Sequence, residues 1–217
     1  MNSSTSEIAM SENPSDQSMR RLVHARRIVC MGYERDDGLF DIEGRMVDTK
    51  GHDSDLLFKV VPAGSPIHEM RLVVTIDAQL VIRHIQAHTD VGPSRFCAEI
   101  NAAYGSLKGL SIGAGFMKEV KNRLAGPGGC THLTELLGPI ATTAIQTLMG
   151  LRSSTARRSA PADDSSGVQA HPMVDSCYAW RAGGDVVRIV LQRKHGASQS
   201  EVQASVRHAD QKGLTDG

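Results

Sequence analysis

The sequence predicts an α+β fold, an antiparallel sheet packed with about three helices. Three observations carry this. The first half consists of short β-branched runs separated by turn residues. After Val91-Gly92-Pro93 the apolar spacing changes from about two to three and four. A glycine-rich turn, GPGGC, then leads into a long segment with an apolar stripe. Strand runs followed by helix runs, rather than alternation of the two, point to a sheet with helices on it.

Residues 1–19 are rich in Ser, Asn and acidic groups and are expected to be a disordered tail. A single domain is expected over 20–192. Within it, residues 21–33 alternate basic and apolar side chains as a strand does, with Cys30 a small buried thiol. Asp37-Gly38 is a turn dipeptide, and Leu39, Phe40, Ile42, Met46 and Val47 supply the flanking strands. LLFKVV (56–61) reads as a further short strand ending at Pro62. MRLVVTID (70–77) and LVIRHIQAH (80–88) form the clearest hairpin. The first half is thus a meander of about four or five strands.

Ser94 is a helix cap, followed by Phe96, Cys97, Ile100, Ala103, Tyr104 and Leu107 at helical spacing, with Gly109 as the stop. A second helix spans 114–124 through Phe116, Val120 and Leu124, closed by Gly126-Pro127. A third starts at Thr131 with a core stripe of Leu133, Leu136, Leu137, Ile140, Ala144, Ile145 and Leu148. Pro139 predicts a kink or break in it. Residues 152–172 read as a polar loop. MVDSCYAW and DVVRIVLQR read as a late hairpin, and 193–217 as a flexible tail.

Composition narrows the function. Lys+Arg and Asp+Glu are equal at 24 each, and aromatic residues are 4% of the 217. No global field recruits nucleic acid or an anionic membrane, and no base-stacking platform is evident. No apolar run approaches the roughly 20 residues that span a bilayer. The polar start lacks the apolar core of a secretory signal, and four scattered cysteines suit thiols or metal ligands in a reducing compartment. A cytoplasmic location is expected. The composition leaves the partner (a small molecule or a protein) and the oligomeric state open.

Cys130 and His132 are the leading site candidates. A thiol delivered by glycines to a helix start meets free backbone N–H groups and the positive end of the dipole, which favour the thiolate. Thiolate plus imidazole suits zinc, an iron–sulfur cluster, or a nucleophile with an acid/base partner. Packing alone accounts equally for a buried Cys and a surface His there. Cys97 and Cys177 are possible completing ligands, each also explained as a small core thiol. Glu34, Asp36, Asp37, Asp41 and Glu43 form a carboxylate cluster able to take a hard cation or supply a base. Asp37 before Gly38 is equally a turn former paired with Arg35. Asp48 reads the same way, and His24 and His68 show no partner pattern.

The stretches HARRIVCMGYERDDGLFDIEGRMVDTK, FCAEINAAYGSLKGLSIGAGF, GGCTHLTELL and DSCYAW together resemble a bacterial family catalogued as domain of unknown function 2889. The resemblance covers residues 20–192. It implies no activity, but it places Cys97, Cys130, His132 and Cys177 in recurring motif segments. A more distant likeness, in the order hairpin, Cys-bearing helix, helix, Cys-headed long helix, is to iron–sulfur scaffold proteins.

The expectation is therefore a metal protein, zinc or iron–sulfur, using Cys130, His132, Cys97 and Cys177. A metal-free enzyme would use Cys130 and His132, with Asp37 lining a small-molecule pocket. A non-catalytic accessory binding module is the third possibility.

Overall fold

The computed structural model describes residues 19–159 and 174–194. Expectations for the tail before Met19, for 160–173 and for the segment after Lys194 lie outside the described residues. The chain divides into two units, Met1–Ala156 and Arg157–Gly217.

The first unit is built on a four-stranded antiparallel sheet of β1 (His24–Glu34), β2 (Phe40–Lys50), β5 (Pro66–Ile76) and β6 (Ile82–Val91), in that spatial order. A small hairpin, β3 (Ser54–Leu56) and β4 (Lys59–Val61), is inserted between β2 and β5. The run LLFKVV is therefore not one strand: Leu57 and Phe58 form the turn and stand exposed. The predicted Asp37-Gly38 turn closes the first long hairpin. Gly38 takes φ 78° between β1 and β2, a conformation without penalty only for glycine. Between β5 and β6, Asp77 Oδ1 accepts the Gln79 and Val81 N–H groups at 2.9 and 3.0 Å, and Arg83 donates to its other oxygen.

One face of the sheet is apolar at every second residue. Phe40, Ile42 and Met46 of β2 and Met70, Leu72, Val74 and Ile76 of β5 are buried on it. Helices cover that face. A 3₁₀ helix, Arg95–Leu107, carries the predicted Ser94 cap, whose hydroxyl accepts the Phe96 N–H. It is tighter than the α-helix expected from spacing. Helix α1 (Phe116–Leu124) buries Phe116, Val120 and Leu124 as predicted. Helix α2 (Thr131–Ser159) is continuous through Pro139 and runs well past the expected loop start at residue 152. Its Leu133, Leu136, Leu137, Ile140, Ala144 and Leu148 are buried in the common core.

The late hairpin is corrected. Within the second unit, residues 174–184 are turns and a short 3₁₀ segment at Tyr178–Trp180, and Asp185–Lys194 is helix α3. The run VVRIV is too short for periodicity to separate strand from helix. Gly183-Gly184 followed by Asp185 in the first turn is a helix-start arrangement, and Gly184 O accepts the Arg188 N–H. Cys177 consequently lies exposed in a turn rather than in a strand.

Candidate functional site

Strand register builds the site. Arg26 on β1 lies opposite Asp48 on β2, and Asp48 lies opposite His68 on β5. Directly opposed residues present their side chains on the same face, here the face that α2 covers. The three form one row across the sheet, and α2 brings His132 onto it from above.

Asp48 is fully buried and accepts two parallel bonds from Arg26, Nε to Oδ1 and Nη2 to Oδ2, both at 2.8 Å. His68 Nδ1 is 3.1 Å from Oδ2, and His24 Nε2 is 3.6 Å from Oδ1. His132 Nε2 stands 4.0 Å from Oδ2, and its ring stacks on that of His68 at 3.8 Å between centroids. Arg26 also donates to Glu135 of α2. Burial alone would push the Asp48 carboxyl pKa up. The Arg26 bonds and charge, helped by His68 and His24, overcome this and hold it below the usual aspartate value. His68 is lowered, first by burial and then by His132, against the pull of Asp48.

The glycine turn performs as the sequence suggested. A Cβ on Gly129 would stand 2.4 Å from the Leu124 carbonyl oxygen, so only glycine lets the chain pass there. It delivers Cys130 to the start of α2, where the Cys130 carbonyl accepts the Thr134 N–H. The buried Tyr104 hydroxyl donates to the Cys130 carbonyl at 2.8 Å and accepts from the Cys130 N–H at 3.1 Å. The residue is thus fixed by its backbone while its thiol is half-buried. Its Sγ lies 4.0 Å from His132 Nδ1.

Cys130 and His132 are brought together. Cys97 sits in the first turn of the 3₁₀ helix, packed where Gly92 leaves room for it. Cys177 lies in the second unit. Asp37 is in the β1–β2 turn, paired with Arg35 through both carboxylate oxygens, and this lowers its pKa. Eight residue steps along β1 lead from Arg26 to Glu34, so the turn stands roughly 26 Å from the Asp48 row.

Asp48, His68, Arg26 and His24 were missed as a group, and one signal could have found two of them. Phe40, Ile42, Gly44, Met46 and Asp48 share the even, core-facing phase of β2. His68 has the same phase as Met70 and Leu72 on β5. An ionisable residue at a core position requires buried partners.

Asp48, His68 and His132 each offer one donor atom, and these atoms lie within 4.8 Å of one another. Among the described residues, this group of potential metal donors includes no cysteine. Charge suits a divalent cation: Asp48 and Glu135 oppose the single Arg26, a net −1 before any thiolate. Ring geometry does not yet suit it. Stacked imidazoles only 28° from parallel direct their lone pairs alongside one another, so one ring must turn before both can meet a single ion.

Fold and site together define an α+β protein with one sheet face under helices and a buried Asp48 carboxylate ringed by Arg and His side chains beside a helix-start cysteine. The chain belongs to the family described as protein of unknown function (DUF2889), whose model matches residues 24–146. That span contains Arg26, Asp48, His68, Cys97, Cys130 and His132, and stops short of Cys177. No curated protein and no solved structure matches the chain, so the likeness to iron–sulfur scaffolds finds no support. Among the described residues, no helix is long and apolar enough to cross a membrane.

Proposed function

We propose that this protein binds one divalent transition metal of the zinc class through His68, His132 and Asp48, with Cys130 beside the remaining position. The supporting observation is the convergence of the three donor atoms within 4.8 Å at a charge-biased, largely enclosed place. Two imidazoles and a carboxylate are a donor set that zinc-class ions accept while keeping a fourth position open. Arg26 then acts as the outer partner that orients the carboxylate. An iron–sulfur cluster is not part of this reading, because clusters are held mainly by several thiolates and, among the described residues of the first unit, Cys130 is the one thiol at hydrogen-bond distance from His132.

Cobalt(II) titration of chelator-stripped protein tests it. About one equivalent should bind with visible d–d absorption, and His68→Ala and His132→Ala should each lose it. Sub-stoichiometric binding, or binding indifferent to both substitutions, defeats the proposal.

One observation favours a second reading, a metal-free thiol enzyme. His132 faces Cys130 Sγ with Nδ1 and Asp48 Oδ2 with Nε2, each at 4.0 Å. That is the order thiol, imidazole, carboxylate used by cysteine nucleophiles, and the reading requires both distances to shorten to hydrogen bonds when substrate binds. This reading requires Cys130 to react with iodoacetamide at least tenfold faster than Cys97 and Cys177, and His132→Ala to remove that advantage. Equal rates exclude it.

A further inference from the structure

A cleft of about 690 Å³ lies between the tip of the β3–β4 hairpin, the end of β6 and the start of the 3₁₀ helix. We propose that it binds a small planar aromatic carboxylate. Phe58 from the hairpin and Phe96 from the 3₁₀ helix meet edge to face, their ring centroids 6.1 Å apart. Both remain about half exposed, at 59% and 48%. Exposed phenylalanines cost solvation that a stacked ring would recover, and aromatic pairs contribute beyond the area they bury.

Charge selects the rest of the ligand. Lys59 and Arg95 line the cleft with one carboxylate, Asp90. Asp90 is already engaged by Arg71 at 3.2 Å. Among the described residues, neither Lys59 nor Arg95 has a carboxylate at ion-pair distance, and the Arg95 guanidinium lies 4.8 Å over the Phe96 ring. A cation held against an aromatic face, with a second cation on the facing hairpin, suits an anionic group carried on a flat ring. The volume falls within the range of about 300–1,000 Å³ typical of small-molecule sites, which favours a compact ligand over a polypeptide. Register places Val91 of the cleft opposite Glu69, the neighbour of His68, so the cleft opens at the same end of the sheet as the Asp48 row.

The test uses 2-naphthoate on the full chain stripped of metal, so that its result is independent of the metal proposal. Binding is read by the probe's fluorescence anisotropy. Saturable binding is expected, at least tenfold tighter than that of the saturated decalin carboxylate and of 2-naphthylmethanol, the uncharged analogue. Lys59→Gln with Arg95→Gln should weaken it about tenfold, and Phe96→Leu should abolish the preference for the aromatic over the saturated acid. Circular dichroism confirms that each variant is folded. Absence of saturable binding, equal binding of either analogue, or binding unchanged in both variants overturns the proposal.

Discussion

Asp48 is where burial and charge meet most sharply. Removing one partner of a buried ion pair leaves an uncompensated charge, which costs about 3–5 kcal/mol when both groups are buried. Arg26 is about one-third exposed and His68 and His24 remain, so Arg26→Ala is expected to destabilise by about 2–3 kcal/mol. Urea unfolding measures this, and a loss under about 0.5 kcal/mol would remove Asp48 from the structural account. The same centre sets a pH response in metal-free protein. His68 has a lowered pKa when folded, so the unfolded chain binds its proton more readily, and stability falls as pH drops through about 6.5. Asp48, also lowered, contributes stability present above its unfolded value of about 4 and lost as pH falls further. The two shifts act in the same direction. Thermal unfolding should therefore show a lower midpoint at pH 5.5 than at pH 7.5, with a much smaller difference in His68→Gln. An unchanged midpoint, or an equal drop in the variant, contradicts the assignment. The sequence exposed Cys130 and His132 because glycines mark their turn. It concealed Asp48 and His68 because their partners lie on other strands and only register unites them.

At the scale of elements, the seating of α2 on β1 and β2 decides whether His132 reaches the row. Contacts progress in order: Arg26 to Glu135, Cys30 to Thr143, and Gly32 against Thr147. The helix therefore runs in the direction of β1. It approaches closely because Gly44, on the core-facing phase of β2, presents no side chain. A Cβ there would stand 2.7 Å from Ile140 Cδ1 and Cγ1. Gly44→Ala should cost about 1–3 kcal/mol through overpacking, and Gly44→Ala with Ile140→Val should recover part of it. Denaturation of the single and double variants measures both, and independent additive losses would show that the contact does not govern the fit. The stripes of α1 and α2 were legible because a one-sided helix must bury an apolar residue every three or four positions. The 3₁₀ geometry of Arg95–Leu107 was not, since spacings of three and four serve both helix types. Helix α3 was hidden by its β-branched residues, whose local preference its Gly-Gly-Asp start overrides.

For the whole molecule, the question is where the core closes. The principal buried cluster runs from Phe40 to Leu148, with Cys30 and Leu151 packed at its margins. Every residue of the Asp48 row and its Cys130 neighbour also belongs to the first unit, Met1–Ala156. A chain of about 140 residues buries enough surface to fold alone, and the described members of this cluster lie between Cys30 and Leu151. A truncated chain covering residues 19–156 should therefore unfold cooperatively and retain the cobalt and iodoacetamide behaviour of the full protein. Coincident transitions by circular dichroism and by Tyr fluorescence are the check. This comparison also bears on Cys177, which the sequence grouped with Cys130 and His132. If the short chain folds cooperatively but loses the cobalt spectrum or the fast thiol, the second unit contributes to the chemistry and the site extends past the row described. If it keeps both, the function resides in the sheet, the 3₁₀ helix and α2, and Cys177 has no part in it.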